Sequence, residues 1–335
     1  MLLEDRPIVV AGAGSIGCFV GGLVASAGRR VSLLARPRVM AEIEQFGLTL
    51  TSLEGASWHV ASQQIKLSED LKILADAGVV LVTVKSADTA EIAAAIARHA
   101  STDAVIVSLQ NGIANVPLLR ERLPGRTVLA AMVPFNVIAA GEGRYHRATS
   151  GDIVLERDPT DIAARLSAPG LAIRATGNIV GVQWGKLLVN LNNAINALSG
   201  LPLREQLGYR DWRRLFADQI AEGLIAVRAE GIKPVSATPV PSSWAPHLLR
   251  LPDALFRIAL APAMKIDPQA RSSMWEDLER RRRTEIDYLQ GVITEIADRR
   301  GLKAPLSHRI VALIREAEAA SQGSPRLTVQ QIRES

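Results

Sequence analysis

The sequence predicts an α/β protein in two parts: a parallel sheet layered with helices, followed by an all-helical domain. Three observations carry that prediction. A strand, a glycine turn, a helix and a second strand open the chain, over residues 8–36. Short apolar runs that stop at polar residues then recur through the first half, as buried parallel strands do. Beyond residue 176 the apolar spacing changes to the helical period. The expected domains are therefore 1–175 and 176–330.

"IVVA" (8–11) is a short buried strand, and Gly12, Gly14 and Gly17 after it fit G-x-G-x-x-G. Apolar residues at Val20, Leu23, Val24 and Ala27 continue as a helix that stops near Gly28, and "RVSLLAR" (30–36) is the second strand. This βαβ context is what the Rossmann-type dinucleotide fingerprint requires. The glycines allow a tight turn and close approach to a pyrophosphate. Ser15 and Ile16 open a helix whose N–H groups and positive dipole end suit phosphate. The competing reading is a tight strand-to-helix turn with no ligand.

No acid stands between Val31 and Met40, where a binder of NAD places one for the ribose hydroxyls. Arg36 and Arg38 stand there instead. A guanidinium forks onto a 2′-phosphate, so NADPH is the favoured cofactor. The competing reading of Arg36 is a solvated loop charge. Cys18, on the predicted helix, reads as a small packing residue.

"GVVLVTVKS" (78–86), "AVIVSLQNGI" (104–113) and "TVLAAMVPFNVI" (127–138) are three further strands. Ligands of open parallel sheets sit beyond the carboxyl ends of strands. Lys85, Asn111 and Asn136 lie where these strands stop. Each alone reads as a solvated strand end, and together they read as the rim of one cleft.

"GDIVLE" (151–156) and "GLAIRATGNI" (170–179) are strand-like, and helices follow. They are "WGKLLVNLNNAINAL" (184–198), 210–232, a single long helix over 272–301, and 306–323. The proline-rich stretch between Ser236 and Ala270 reads as loop and short helix. A cleft between the two domains is the expected place for a small molecule.

Composition narrows the function. Hydrophobic residues make up 48% and aromatics 4%, so the cores are built from Ala, Val, Ile and Leu. A net charge of +5, with no zinc-finger spacing and no long basic tail, gives no expectation of a nucleic-acid partner. One cysteine rules out an intrachain disulfide and a multi-cysteine zinc site, and no metal is expected. The start, "MLLEDRPIVVAGAG", lacks the basic, long apolar pattern of a signal peptide. No apolar run approaches the ~20 residues of a membrane span. A cytoplasmic protein without a membrane partner is the expectation.

Lys186 is the first unusual residue of the second half. On a helical wheel Asn190 lies about 40° from it and Asn193 about 20° the other way. The three form one polar stripe, flanked by Leu187, Leu188, Val189, Leu191 and Ile195. A buried ammonium is costly unless compensated, so a functional lysine beside two amides is one reading. A lysine snorkelling from a helix end is the other. Glu285 falls in helical line with Leu289, Val292 and Ile296, the apolar face of the predicted long helix, whereas Arg280 to Arg283 read as a solvated face.

These motifs converge. With "GAGSIG", "VTVKSADT", "LQNGI", "WGKLLVN" and "RSSMWEDLERRRRTEIDYLQG", the chain resembles the ketopantoate reductases (2-dehydropantoate 2-reductases) nearly end to end. The resemblance implies a Rossmann domain followed by a helical domain like the C-terminal one of 6-phosphogluconate dehydrogenase. It also implies NADPH-dependent reduction of a 2-oxo acid, ketopantoate to pantoate in pantothenate biosynthesis. By resemblance Lys186 is the general acid, and Asn190 binds substrate. Ser273 holds the substrate carboxylate or a nearby oxygen. Glu285 lies where cofactor and substrate meet, and orients Lys186 or accepts a substrate hydroxyl. Arg36 meets the 2′-phosphate, Lys85 and Asn111 lie along the cofactor, and Asn111 also approaches the ketone. A homodimer is one expected assembly.

The chain departs from the family at Ala194, near Leu203 and at Ala270, where polar residues are usual. Asn193 is placed to substitute for the amide missing at 194. A bulkier or more apolar 2-oxo acid is thus an alternative substrate. A 3-hydroxyacid or opine-type dehydrogenase, and a non-catalytic NADPH sensor, are the further alternatives; the "TEID" segment and the pairing of Lys186 with Glu285 argue against them.

Overall fold

A computed structural model describes residues 6–236, 240–260 and 267–334. The chain divides into two compact units, Met1–Ile179 and Val180–Ser335. In the first unit the strands are β1 (Ile8–Ala11), β2 (Val31–Leu34), β3 (Leu48–Ser52), β4 (Ser57–Val60), β5 (Ile65–Ser68) and β6 (Val79–Val82). They continue as β7 (Val105–Ser108), β8 (Val128–Met132), β9 (Val137–Gly141), β10 (Arg144–Arg147), β11 (Ile153–Glu156) and β12 (Ile173–Thr176). The helices are α1 (Ser15–Ser26), α2 (Pro37–Phe46), α3 (Thr89–His99), α4 (Asn115–Arg122) and α5 (Ile162–Leu166).

The main sheet has the order β12-β11-β8-β7-β6-β1-β2-β5. From β5 to β8 every pairing is parallel, and β11 then runs antiparallel to β8. Strands β1, β6, β7 and β8 are buried at every residue. That explains their unbroken apolar runs: both faces of the sheet are covered, so no alternation is needed.

A second sheet, β4-β3-β10-β9, has no counterpart in the sequence reading. Helix α1 packs against both. A Cβ on Gly21 would meet Val10 and Leu33 of the main sheet at 2.9 and 3.0 Å, and one on Gly22 would meet Leu50 and Leu48 of the second at 2.8 and 3.1 Å. Cys18, on the same helix, is buried, and burial pushes its thiol up to about 12, so it is a packing residue and not a nucleophile.

The run 127–138 is not one strand. It is β8 and β9, in two different sheets. Pro134 stands between them and has no N–H to continue a ladder. Phe135 is buried there, edge-on to Phe19 at 5.9 Å, and the Asn136 N–H donates to the Thr149 hydroxyl.

The second unit is helical. Its elements are α6 (Ile179–Asn190), which begins at the boundary, α7 (Asn192–Ser199), α8 (Leu203–Gly208), α9 (Arg210–Ala229), α10 (Ala245–Leu249) and α11 (Asp253–Leu260). Then come α12 (Ser273–Glu279), α13 (Gln290–Arg300), α14 (Pro305–Ala320) and α15 (Val329–Arg333). Among the described residues no helix is long and apolar enough to cross a membrane.

The long helix expected over 272–301 is two helices, α12 and α13, with a 3₁₀ turn at Ile286–Tyr288 between them. The break has a physical cause. Arg281 is left-handed (φ 54°), and the N–H groups of Arg281 and Arg282 return to the carbonyls of Leu278 and Asp277, which closes α12 as a Schellman motif. The Thr284 N–H then donates to the Glu318 carboxylate of α14 at 2.7 Å, off the helical path.

Arg213 organises the loops around α9. It is fully buried, and each of its five N–H groups is placed on an acceptor. Nε donates to the Leu249 carbonyl, Nη1 to Leu207 and Gly208, and Nη2 to Leu251 and to the Asp253 carboxylate at 2.7 Å. The guanidinium also lies 4.1 Å from the Phe256 ring centre. Asp253, at the exposed end, is held below its usual range by that hydrogen bond. Replacing Arg213 by Met would leave four carbonyls without their donor. Urea unfolding of Arg213→Met is expected to show a loss of about 3 kcal/mol; an unchanged midpoint would mean that water replaces the guanidinium.

Candidate active site

The glycine turn, Arg36, Lys85, Asn111 and Asn136 come together at one edge of the main sheet. They follow β1, β2, β6, β7 and β8, which are neighbours and parallel, so all five lie beyond carboxyl ends. The chain leaves β1 for β2 on one side and later returns to β6 on the other, which makes β1/β6 the topological switch point.

Two of the three motif glycines are needed by the protein itself. Gly12 has φ +114°, and a Cβ there would stand 2.7 Å from the Val84 nitrogen. A Cβ on Gly17 would overlap the Gly12 carbonyl and stand 2.8 Å from the Thr83 hydroxyl. That hydroxyl donates to the Gly12 carbonyl at 2.6 Å and fixes the turn. Gly14 differs: it is exposed, its φ is ordinary, and a Cβ would meet nothing within 4 Å. The open space over Gly14, at the N-terminus of the twelve-residue α1, is the kind of cradle a pyrophosphate fills. A dinucleotide therefore fits this edge. Arg36 is exposed at the N-cap of α2, and Arg38 is exposed one residue past Pro37.

A buried polar network holds the loops after β6 and β7. Ser108 donates to Gln110 Oε1 at 3.0 Å, and Gln110 Nε2 donates to the Val84 carbonyl and to Thr89 Oγ1. Thr89 donates to Asn115 Oδ1, and Asn115 Nδ2 donates to Ser86 Oγ and to the Asn111 carbonyl at 2.6 Å. The backbones that carry Lys85 and Asn111 are thus fixed, while both side chains are exposed. Sequence reading missed Thr83, Thr89, Gln110 and Asn115. The signal was available in "VTVKSADT" and "LQNGIAN", where hydroxyls and amides crowd behind buried strands.

In the second unit, Lys186 and Asn190 lie on α6 and Asn193 on α7, with only Leu191 between the helices. Lys186 is half-buried, and burial pulls its ammonium down from 10.5 to about 8. Asn190 is buried, and neither its amide nor that of Asn193 has a side-chain hydrogen bond among the described residues. The other two amides of this stretch are fully engaged. Asn192 pairs with Gln206 at 3.2 Å, and Asn196 Nδ2 donates to Gln206 Oε1 and to the Leu201 carbonyl.

Asn196 also fixes the segment that carries Ser273. Its Oδ1 accepts from the Ser272 N–H at 2.9 Å, and Ser272 Oγ donates to the Asn193 carbonyl and caps Trp275 of α12. Ser272 is the buried cap, and Ser273 beside it is exposed. Asn196 and Ser272 were not singled out in the sequence. Ala194 and Ala270 are buried, and the Leu203 N–H donates to the Ala270 carbonyl at 2.9 Å. None of these three positions presents a polar side chain. Glu285 does not share a helical face with Leu289, Val292 and Ile296. It is half-buried before the 3₁₀ turn, where its carbonyl accepts from Tyr288.

Two family models match this chain: ketopantoate reductase PanE/ApbA over residues 8–159, and its C-terminal counterpart over 178–318. The 2-dehydropantoate 2-reductase of Halobacterium salinarum is 28% identical over 320 residues, spanning 93% of this chain and 98% of that protein. The enzyme of the same name from Pyrococcus horikoshii is 27% identical, spanning 95% and 99%. Among solved structures, a PanE/ApbA family ketopantoate reductase from Ralstonia eutropha is 32% identical, with a TM-score of 0.80 over 94% of this chain and 99% of that one. A D-mandelate dehydrogenase, 18% identical over 94% of this chain and 99% of its own with a TM-score of 0.77, shares the fold. The glycine turn, the strand-end loops and the helix bearing Lys186 all fall inside the matched spans, and the chain belongs to the ketopantoate reductase family.

Proposed function

We propose that this protein reduces 2-dehydropantoate to pantoate with NADPH, as a cytoplasmic, homodimeric enzyme of pantothenate biosynthesis. The observation that carries the reading is Lys186: a half-buried lysine whose ammonium is lowered to about 8 by burial, one helical turn before the buried Asn190, whose amide makes no side-chain hydrogen bond among the described residues. NADPH, when bound, supplies the hydride that reaches the keto carbon. Arg36 takes the 2′-phosphate, the α1 N-terminus at Gly14, Ser15 and Ile16 takes the pyrophosphate, and Lys85 and Asn111 hold the remainder of the cofactor.

Lys186 does the proton chemistry. Its ammonium donates a hydrogen bond to the ketone oxygen, which draws charge onto that oxygen, and the proton follows as the alcohol forms. A pKa close to the working pH lets the same group release its proton and recover it from water on each turnover. Asn190 and Asn193 hold polar groups of the substrate, Ser273 its carboxylate, and Glu285 orients Lys186 or accepts a substrate hydroxyl.

A second substrate reading has its own support. Ala194, Leu203 and Ala270 place apolar side chains at positions where the family is usually polar, and two of them are buried. On that sequence difference a 2-oxo acid with a larger apolar group is the alternative substrate.

Four expectations follow. Lys186→Ala should lose about 10³-fold in kcat/KM with ketopantoate while NADPH titration shows unchanged affinity. In the wild type, activity should be flat below pH 8 and fall above it, because the acid form of a lysine with a pKa of about 8 is present below that value and lost above it. Arg36→Ala should weaken NADPH by roughly 10-fold or more and leave NADH unaffected; equal losses for both would remove the 2′-phosphate role. Gly14→Ala should keep stability within about 0.5 kcal/mol, since nothing lies near the added carbon, and still lose cofactor affinity. Unchanged cofactor binding in Gly14→Ala would move the pyrophosphate elsewhere.

A further inference from the structure

Helix α6 carries glycines at 181 and 185, one turn apart on the same face. The non-helical segment 232–236 lies on that face. The Val235 N–H donates to the Gly181 carbonyl at 2.8 Å. A Cβ on Gly185 would overlap the Val235 carbonyl oxygen and stand 3.6 Å from the Ser236 Cα. Backbone therefore rests on bare backbone, and only glycine at 185 allows it.

The segment is tethered where it begins. It leaves α9 through Gly231, which is left-handed (φ +71°), and the Ile232 N–H returns to the Val227 carbonyl. Pro234 then restricts the chain one residue before the contact. Lys186 is the residue next to Gly185, and a helical side chain leans toward the N-terminus of its helix. Its stem thus runs beside the turn that carries the contact.

We infer that segment 232–236 is a backbone strap that positions Lys186: seated on Gly181 and Gly185, it fixes the turn of α6 beside the lysine. Gly185 and Val235 are then positioning residues, which act through Lys186 and touch no reacting atom. The inference rests on Lys186 being the proton donor. The one charged side chain of the strap, Lys233, is exposed.

The test compares four enzymes in steady state with ketopantoate and NADPH: wild type, Lys186→Ala, Gly185→Ala and Val235→Pro, the last removing the N–H that reaches Gly181 and fixing the φ of residue 235. Gly185→Ala should lose roughly 100-fold in kcat, the scale of a small misplacement of a catalytic group, with the KM for NADPH within twofold of wild type. Its primary deuterium isotope effect with 4-deuterated NADPH should rise, because the chemical step has become slower. Val235→Pro should show the same pattern at smaller size. A glycine needed only for folding would lower the folded fraction and leave kcat per folded molecule and the isotope effect as in wild type, which overturns the proposal. If Gly185→Ala does not fold, hydrogen exchange on the wild-type enzyme decides: a protected Val235 amide supports the strap, and exchange at the rate of an unstructured peptide overturns it. Full activity in Lys186→Ala would instead overturn the assignment of the lysine, a different failure from wild-type kcat in Gly185→Ala alone.

Discussion

Helix α1 runs between two sheets, and the pair Gly21–Gly22 is what allows it. Neighbouring residues on a helix point about 100° apart, so one glycine meets the main sheet and the next meets the small one. A methyl at either position would press on Val10 and Leu33 or on Leu48 and Leu50, all of which are themselves buried. The position of α1 then sets the glycine turn that precedes it, since Gly17 must pass under the Gly12 carbonyl on the way in. In the second unit the same device recurs at Gly185, under the Val235 carbonyl. Close approach of bare backbone thus fixes the element behind the cofactor edge and the element bearing the lysine.

What was legible in the sequence was local. Strand β1, the glycine turn and α1 are contiguous and follow one period after another, so their pattern survives in a single line of residues. The small sheet is different. Its strands β3 and β10 pair in parallel although Thr51 and His146, which bond across them, stand 95 residues apart. Their outer faces carry Thr, His and Arg, so no apolar run marks them. The long helix over 272–301 was misread for a related reason. Helical periodicity continues through the arginines, but the Glu318 carboxylate captures Thr284 from a distant helix, and no local pattern reports that bond.

The site divides in the same way. Lys186, Asn190 and Asn193 were singled out because they stand close together in one short stretch of sequence. The network beneath Lys85 and Asn111 was not, because Gln110 and Thr89, or Asn115 and Ser86, are brought together only by the sheet. Such a network earns its place through completeness: a buried amide with one group unmatched costs more than an apolar residue of the same shape. Here Asn115 joins both loops at once, so the strand ends reach the cofactor edge in a fixed relation.

Four asparagines follow Lys186 within ten residues, and the fold sorts them by face. Asn192 and Asn196 turn toward Gln206 and Ser272 and spend their hydrogen bonds on the chain itself. Asn190, on the lysine's own helix, and Asn193, on the next, make no such bond among the described residues. Those two amides keep hydrogen-bonding groups that the described residues do not use, and burial lowers the ammonium that precedes them. The proposed reduction asks for a molecule that offers an oxygen to the lysine and further polar atoms to these amides. Asn192 and Asn196 hold this segment in place through their bonds within the chain, which leaves Asn190 and Asn193 for the substrate role that the proposed function gives them.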